Sequence, residues 1–285
     1  MNQSSAAPAA WRQLASSARQ EMSYFIGIDI GSRTCKAVLA DSSGAIVKRE
    51  LMSSGTDYAL AARTLRDRLS VGLSLAAGEP RVVTTGHNVR LSWADEHATD
   101  IQCCARGVHF VSPSARTIVD IQAQTSQVIR LGENGLVTSF VVSEKCAAGS
   151  GRFLEVVANV LRVKLEDIGP MSLKSKQPVS FSTGCAVFGE SEAISRVAEG
   201  VAKEDILAGV HRSIADKIGA LVARAGLEEP CVIVGGGALD LGLVKSIEDR
   251  LSIKPILPPH PEFIGAIGAA VIARERNPGS LVSAN

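Results

Sequence analysis

The chain lacks a surplus of either charge: 30 Lys and Arg stand against 29 Asp and Glu, a formal net charge of +1 over 285 residues. Without a long-range field of one sign, neither nucleic acid nor an anionic membrane surface is indicated as a partner. Long apolar runs are also missing. A stretch such as 265–273 falls far short of the ~20 residues that a membrane-spanning helix needs. Cysteine is present without forming a framework: six, scattered through a chain of this size, do not read as a secreted disulfide scaffold. A reducing cytoplasm is the expected location. The five histidines are dispersed, and none pairs at i, i+4 with a second ligand, so no zinc site is expected. Residues 1–22 lack the apolar centre of a secretory signal. Rich in Ala, Ser and Gln, they are expected to form a disordered tail, with Arg12 and Arg19 giving only a weak likeness to a transit peptide.

What the chain does have is the composition of a soluble globular protein, 46% hydrophobic and 21% charged. Its length suffices for two lobes and a large core. Residues 24–28 read as a buried strand entering Asp29-Ile30-Gly31-Ser32-Arg33-Thr34-Cys35-Lys36. Residues 37–40 and 45–51 continue a meander through the turn Asp41-Ser42-Ser43-Gly44. An amphipathic helix over 58–71 and a short strand over 82–85 follow. The order then recurs. Residues 117–121 enter Asp120-Ile121-Gln122-Ala123-Gln124-Thr125-Ser126-Gln127, and strands over 128–131 and 136–142 flank Gly132-Glu133-Asn134-Gly135. Segments 29–36 and 120–127 share one spacing, each between strands. This degenerate duplication predicts two similar α/β lobes facing each other, 23–116 and 117–260, with a closing helix and tail over 261–285. Phe153, Leu154, Val157, Val160 and Leu161 predict one helix of the second lobe. Another starts at Cys185 and carries Ile194, Val197 and Ala198 on one face. A long helix over 205–225, a strand over 231–234 and a last helix over 262–274 complete the pattern.

Asp29 ends a strand before a turn of small residues. Gly31 lets the backbone approach a phosphate, with Ser32, Arg33 and Thr34 as donors, Lys36 as added charge and Asp29 to hold water on a magnesium ion. Gly235, Gly236 and Gly237 after a buried strand would let a flat adenosine lie against the main chain. Cys146 and Cys185 each sit at the entrance to a predicted helix, where the positive helix end favours thiolate. Two thiolates are half of the four that an iron–sulfur cluster usually takes, so two such chains could complete one across a dimer interface. On these residues alone, ligand pair and buried thiols both stay open. Cys35 and Cys231 lie in apolar strand contexts and read as small buried hydrophobes, and Cys103-Cys104 lack metal-ligand spacing.

Together these residues resemble the ATPase family that activates 2-hydroxyacyl-CoA dehydratases and forms the ATP-binding subunits of benzoyl-CoA reductase. The resemblance covers about 23–275. It is sharpest in Glu144-Lys-Cys-Ala-Ala-Gly-Ser-Gly-Arg-Phe-Leu-Glu155 and Cys185-Ala-Val-Phe-Gly-Glu-Ser-Glu192, supported by Cys104-Ala-Arg-Gly107 and Gly265-Ala-Ile-Gly-Ala-Ala270. It implies a duplicated, ribonuclease H-like fold of the actin/sugar-kinase/Hsp70 kind, with ATP and Mg2+ in the interlobe cleft and Asp29, Asp120 and Gln124 as catalytic residues. It also implies one [4Fe–4S] cluster on a dimer axis, with Cys146 and Cys185 as this chain's ligands. The partners implied are a related ATP-binding subunit or a second copy, a low-potential ferredoxin or flavodoxin donor, and a catalytic CoA-ester reductase or dehydratase component. In two places the chain departs from the family pattern. The family's second phosphate loop typically reads Asp-Ile-Gly-Gly-Gln-Asp-Ser-Lys, whereas here Gln122 and Ala123 replace glycines, Thr125 the acid and Gln127 the lysine. Dehydratase activators also usually carry Asn near Asp240, so the chain reads first as the small ATP-binding subunit of benzoyl-CoA reductase. The alternatives are a homodimeric activator of a 2-hydroxyacyl-CoA dehydratase, a nucleotide-binding scaffold, and a small-molecule kinase of the same fold.

Overall fold

The computed structural model describes residues 23–73, 80–87, 89, 91–144, 150–181 and 186–277. The first lobe is built on strands β1 (Tyr24–Ile30), β2 (Thr34–Asp41), β3 (Ile46–Ser53), β4 (Arg81–Gly86) and β5 (Glu96–His97), in the order β3-β2-β1-β4-β5. The second is built on β6 (Thr117–Ile121), β7 (Ser126–Leu131), β8 (Val137–Val142) and β9 (Cys231–Val234), in the order β8-β7-β6-β9. Each sheet is an antiparallel meander with a parallel strand beside its first member. The repeat extends to the register: Asp29 faces Lys36 as Asp120 faces Gln127.

Both faces of the central strands are covered, which is why they are continuous apolar runs rather than alternating ones. Along β1, Ile26, Ile28 and Ile30 pack under helix α1 (Tyr58–Ser70) through Ala61, Ala62, Leu65 and Leu69. Phe25, on the opposite face, meets Cys103, Ala269 and Ile272. Helix α8 (Ile264–Glu275), reached through a 3-10 turn at Pro261–Phe263, therefore returns the end of the chain to the first sheet. Gly27 permits this contact, because a Cβ there would stand 2.0 Å from Ala266 O.

The second lobe adds helices α3 (Gly151–Leu161), α4 (Ile168–Ser172), α5 (Ala186–Ala198), α6 (Lys203–Ala225) and α7 (Leu241–Leu251). Its core includes Ile121, Phe153, Leu154, Ile206, Ile214 and Ile247. A separate apolar cluster with Val38, Cys104, Ile118, Val232 and Ile267 joins the two sheets.

The structure adds the short elements β5 and α4 to the sequence reading, and two larger features depart from it. Helix α2 (Asp100–Val111) is absent from the sequence-based pattern, although Thr99 and Gln102 form a reciprocal capping box at its start. Its buried face is Cys103, Cys104, Ala105, Gly107 and Val108, small residues that leave little apolar contrast. On α5, Ile194 and Val197 are 53% and 43% exposed, with Ala198 also outward and Ala193 inward. The cause is Gly189: its missing Cβ would stand 2.6 Å from Phe153 Cζ, which sets the rotation of α5 against α3. Among the described residues, no helix is long and apolar enough to cross a membrane.

Candidate nucleotide cleft

Between the two sheets lies a cleft of about 1170 Å³ whose walls come from the strand ends of both lobes. At the end of β1, Asp29 Oδ2 lies 3.3 Å from Lys36 Nζ on the paired strand. Burial works to lower the Lys36 pKa, but the charge and hydrogen bond of Asp29 outweigh it and hold the ammonium above the usual lysine range. At the end of β6, Asp120 Oδ2 accepts from Gln122 Nε2 and Gln127 Nε2, each at 2.8 Å. Two neutral amides stand where the first lobe has an ammonium. Burial pushes the Asp120 carboxyl up to about 6, partly offset by those two hydrogen bonds and reinforced by the charges of Asp100 and Asp29.

Each carboxylate rests against a glycine at the end of the neighbouring parallel strand. Gly86 has φ +87°, and a Cβ on it would meet Ile30 O at 2.4 Å and Asp29 Oδ1 at 3.0 Å. Gly235 has φ +85°, and its Cβ would meet Asp120 Oδ1 and Ile121 O at 2.5 Å. Both positions require the left-handed backbone and the absent side chain. Gly236 differs, as a methyl there would meet no protein atom within 4 Å; its bareness leaves main chain open to the cleft.

All the expected nucleotide residues border this one space: Asp29, Gly31, Ser32, Arg33, Thr34 and Lys36 from the first lobe, Asp120, Gln124, Gly235, Gly236 and Gly237 from the second. Cys146 and Cys185 lie outside the described residues. Helix α5 begins at the residue after Cys185, and α3 begins at Gly151 with Ser150 as its N-cap. The four cysteines among the described residues, Cys35, Cys103, Cys104 and Cys231, are free and buried. Burial pushes the thiols of Cys35, Cys103 and Cys231 up to about 12, so they stay protonated and act as small apolar side chains.

Sequence reasoning missed three contributors. Gly86 is the first-lobe counterpart of Gly235, and the run Thr84-Thr85-Gly86 at a strand end was the available signal. Asp100 heads α2 and lines the cleft, its Oδ1 accepting from Thr85 Oγ1 at 3.1 Å. Burial and the charge of Asp29 raise its pKa, against the lowering effect of the Thr85 bond. Glu155 on α3 crosses the cleft: its Oε1 lies 2.6 Å from Arg33 Nη1, while its Oε2 takes Arg152 Nη1 at 2.8 Å. A cation of the first candidate phosphate loop is thus tied to the helix that follows the Cys146 segment.

The BadF/BadG/BcrA/BcrD ATPase family model matches residues 26–273. A 2-hydroxyisocaproyl-CoA dehydratase activator from Clostridioides difficile is 40% identical over 252 residues, 88% of this chain and 94% of that protein. One of the benzoyl-CoA reductase subunits of Thauera aromatica is 32% identical over 261 residues, covering 88% and 93%. Among solved structures, the activator of the 2-hydroxyisocaproyl-CoA dehydratase from Clostridium difficile with bound ADPNP superposes with a TM-score of 0.85 at 37% identity, over 92% of this chain and 98% of that one. A ROK family glucokinase from Streptomyces griseus shares the fold alone, with a TM-score of 0.51 at 14% identity, over 88% and 99%. The architecture is that of the actin/sugar-kinase/Hsp70-like ATPases, and the chain belongs to the BadF/BadG/BcrA/BcrD ATPase family.

Proposed function

We propose that this chain hydrolyses ATP in the interlobe cleft and thereby activates an electron for a 2-hydroxyacyl-CoA dehydratase. The observation that carries the choice of system is the 40% identity to a dehydratase activator along nearly the whole chain, against 32% to a benzoyl-CoA reductase subunit. This reverses the order that Asp240 suggested. Asp240 caps α7 through Gly242 N and Leu243 N and meets His211, local duties that do not distinguish the two systems.

The polar end of the cleft suits the phosphates. Arg33 and Lys36 supply charge, Gly31 permits close backbone approach, and Asp29 and Asp120 would hold the water of a nucleotide-bound magnesium ion. Gln124, which lines the same cleft, would orient the attacking water. Leu165, Leu239 and Leu241, exposed side chains that line the same cleft, suit a base together with the open main chain of Gly236. Phosphates drawn to Arg33 compete with Glu155, so nucleotide binding loosens the tie between the first lobe and α3. Glu155→Gln removes this competitor. It is expected to tighten ATP binding up to about fivefold at low ionic strength, fading in high salt, as for a partly exposed pair. Calorimetric titration at two salt concentrations measures it; an unchanged dissociation constant would mean that Arg33 does not reach the phosphates.

The cysteine motifs support a [4Fe–4S] cluster held by Cys146 and Cys185 with the same pair from a second chain. Such a cluster supplies a single low-potential electron. A related subunit is the alternative source of the second pair, and a ferredoxin or flavodoxin is the proposed donor. The test is iron and acid-labile sulfide on anaerobically purified protein of known oligomeric mass. About four of each per homodimer are expected, falling to background in Cys146→Ser and in Cys185→Ser. A full cluster in either variant refutes the ligand assignment. ATP turnover with and without a dehydratase component tests the motor; no hydrolysis in any combination would leave a nucleotide-binding scaffold.

A further inference from the structure

Under the base end of the cleft lies a buried polar cluster that the proposed reaction leaves unused. His211 on α6 has no exposed surface. Its Nδ1 is 2.9 Å from Ser172 Oγ at the end of α4, and its Nε2 is 3.0 Å from Asp240 Oδ2 at the head of α7. Serine, histidine and aspartate are the components of a hydrolase triad, but here the hydroxyl is turned away from any substrate. Ser172 is buried, and its Oγ donates to Gly169 O at 2.9 Å.

Counting hydrogens gives the direction of the remaining bonds. A hydroxyl has one proton, and that of Ser172 is committed to Gly169, so Ser172 accepts from Nδ1–H. Asp240 Oδ1 accepts from Gly242 N at 2.9 Å and Leu243 N at 3.0 Å. Its Oδ2 faces Nε2 at 3.0 Å. One imidazole therefore ties α4 to the turn that follows Gly235–Gly237. The packing admits no slack: a Cβ on Gly242 would stand 2.1 Å from Ser172 Oγ, and one on Gly169 would stand 2.6 Å from Asp240 Oδ1. Gly169 and Asp240, packed against each other beside this tie, both line the cleft.

We propose that His211 is a positioning residue for the nucleoside, locking α4 and the head of α7 together as one wall of the base subsite without touching the ligand. The inference rests on the nucleotide reading of the cleft. Its signature is selective: loss of the tie disturbs the base end and leaves the phosphate loops as they were. In the full-length chain, His211→Leu is expected to raise the dissociation constant for ATP about tenfold, the effect of leaving a part-buried carboxylate oxygen without its imidazole partner. Affinity for inorganic tripolyphosphate is expected to stay within about twofold of wild type, whereas general loosening of the fold would weaken both ligands alike. Should the leucine variant not fold, His211→Gln replaces it. The glutamine retains a donor for one neighbour but not both, and about a threefold rise for ATP alone is expected. A folded variant that binds ATP as wild type does, or loses ATP and tripolyphosphate in parallel, overturns the inference alone. A wild-type chain with no affinity for ATP overturns the nucleotide reading and this inference with it.

Discussion

Asp120→Asn is expected to lower ATP turnover by about a hundredfold or more while making the protein more stable at pH 8, the turnover loss being the scale seen when one electrostatic group is removed from a preorganised site. Both effects have one cause. Asp120 is 5% exposed, and among the described residues its hydrogen bonds come from two neutral amides rather than an ammonium, so its charge is costly. The carboxyl rises from 3.8 to about 6 on folding. It binds its proton more tightly in the folded than in the unfolded chain, so its favourable contribution is complete only below about pH 4 and is lost as the pH rises through about 6. Above that range the ionised group costs the fold on the order of 2–3 kcal/mol. Asparagine removes this cost at pH 8 and gains nothing near pH 4. Given the magnesium role proposed for Asp120, wild-type turnover is expected to fall as the pH drops through about 6 and this carboxylate takes up its proton. Phosphate release and urea unfolding at pH 5 and pH 8 check both halves. Wild-type turnover in the variant, or equal stability of the two proteins at pH 8, would remove Asp120 from its assigned place.

Gly268→Ala is expected to destabilise the protein by about 4 kcal/mol or more, lowering Tm by about 10 °C or preventing folding altogether. The Cβ would stand 1.7 Å from Cys103 O and 2.9 Å from Cys103 Cα. Backbone atoms of a buried helix cannot step aside as a flexible side chain does, so α2 and α8 must separate. The contact is reciprocal, since a Cβ on Gly107 of α2 would stand 2.2 Å from Ile264 O. Gly27 brings the same helix onto β1, completing a seam of three close approaches. The consequence reaches the site: Gly265, in the first turn of α8, lies against the Asp29 carboxylate, where a Cβ would be 3.3 Å from Cγ. Scanning calorimetry beside Gly236→Ala, whose added methyl meets no protein atom, gives the comparison. A Gly268→Ala protein melting with wild type would mean that the helices are not seated this closely.

The strands and their order were legible because a covered sheet demands continuous apolar runs, and 24–28, 117–121 and 231–234 are such runs. The paired strand-end acids were legible for a related reason: a carboxylate following a buried strand has few structural uses. Helix α2 was not legible, because Cys103, Cys104, Ala105 and Gly107 bury a face through smallness rather than through hydrophobic contrast. The outward turn of Ile194 and Val197 was hidden as well, since it depends on Gly189 fitting against Phe153 of another helix. Asp240 shows how one residue can point away from the relatives that the wider identity favours. Its departure from the activator pattern is answered locally by His211 and the α7 amides, and the wider identity favours the activators.

Local chemistry, written in the order of residues, determined the duplicated α/β plan, the phosphate-loop candidates and the cysteine motifs. Pairings between distant segments were decided by the tertiary structure alone. Gly86 and Asp100 acquire meaning beside Asp29, Glu155 beside Arg33, and His211 between Ser172 and Asp240. A side chain's burial, charge state and partner depend on what folding brings within a few ångströms, and no spacing along one strand or helix encodes that.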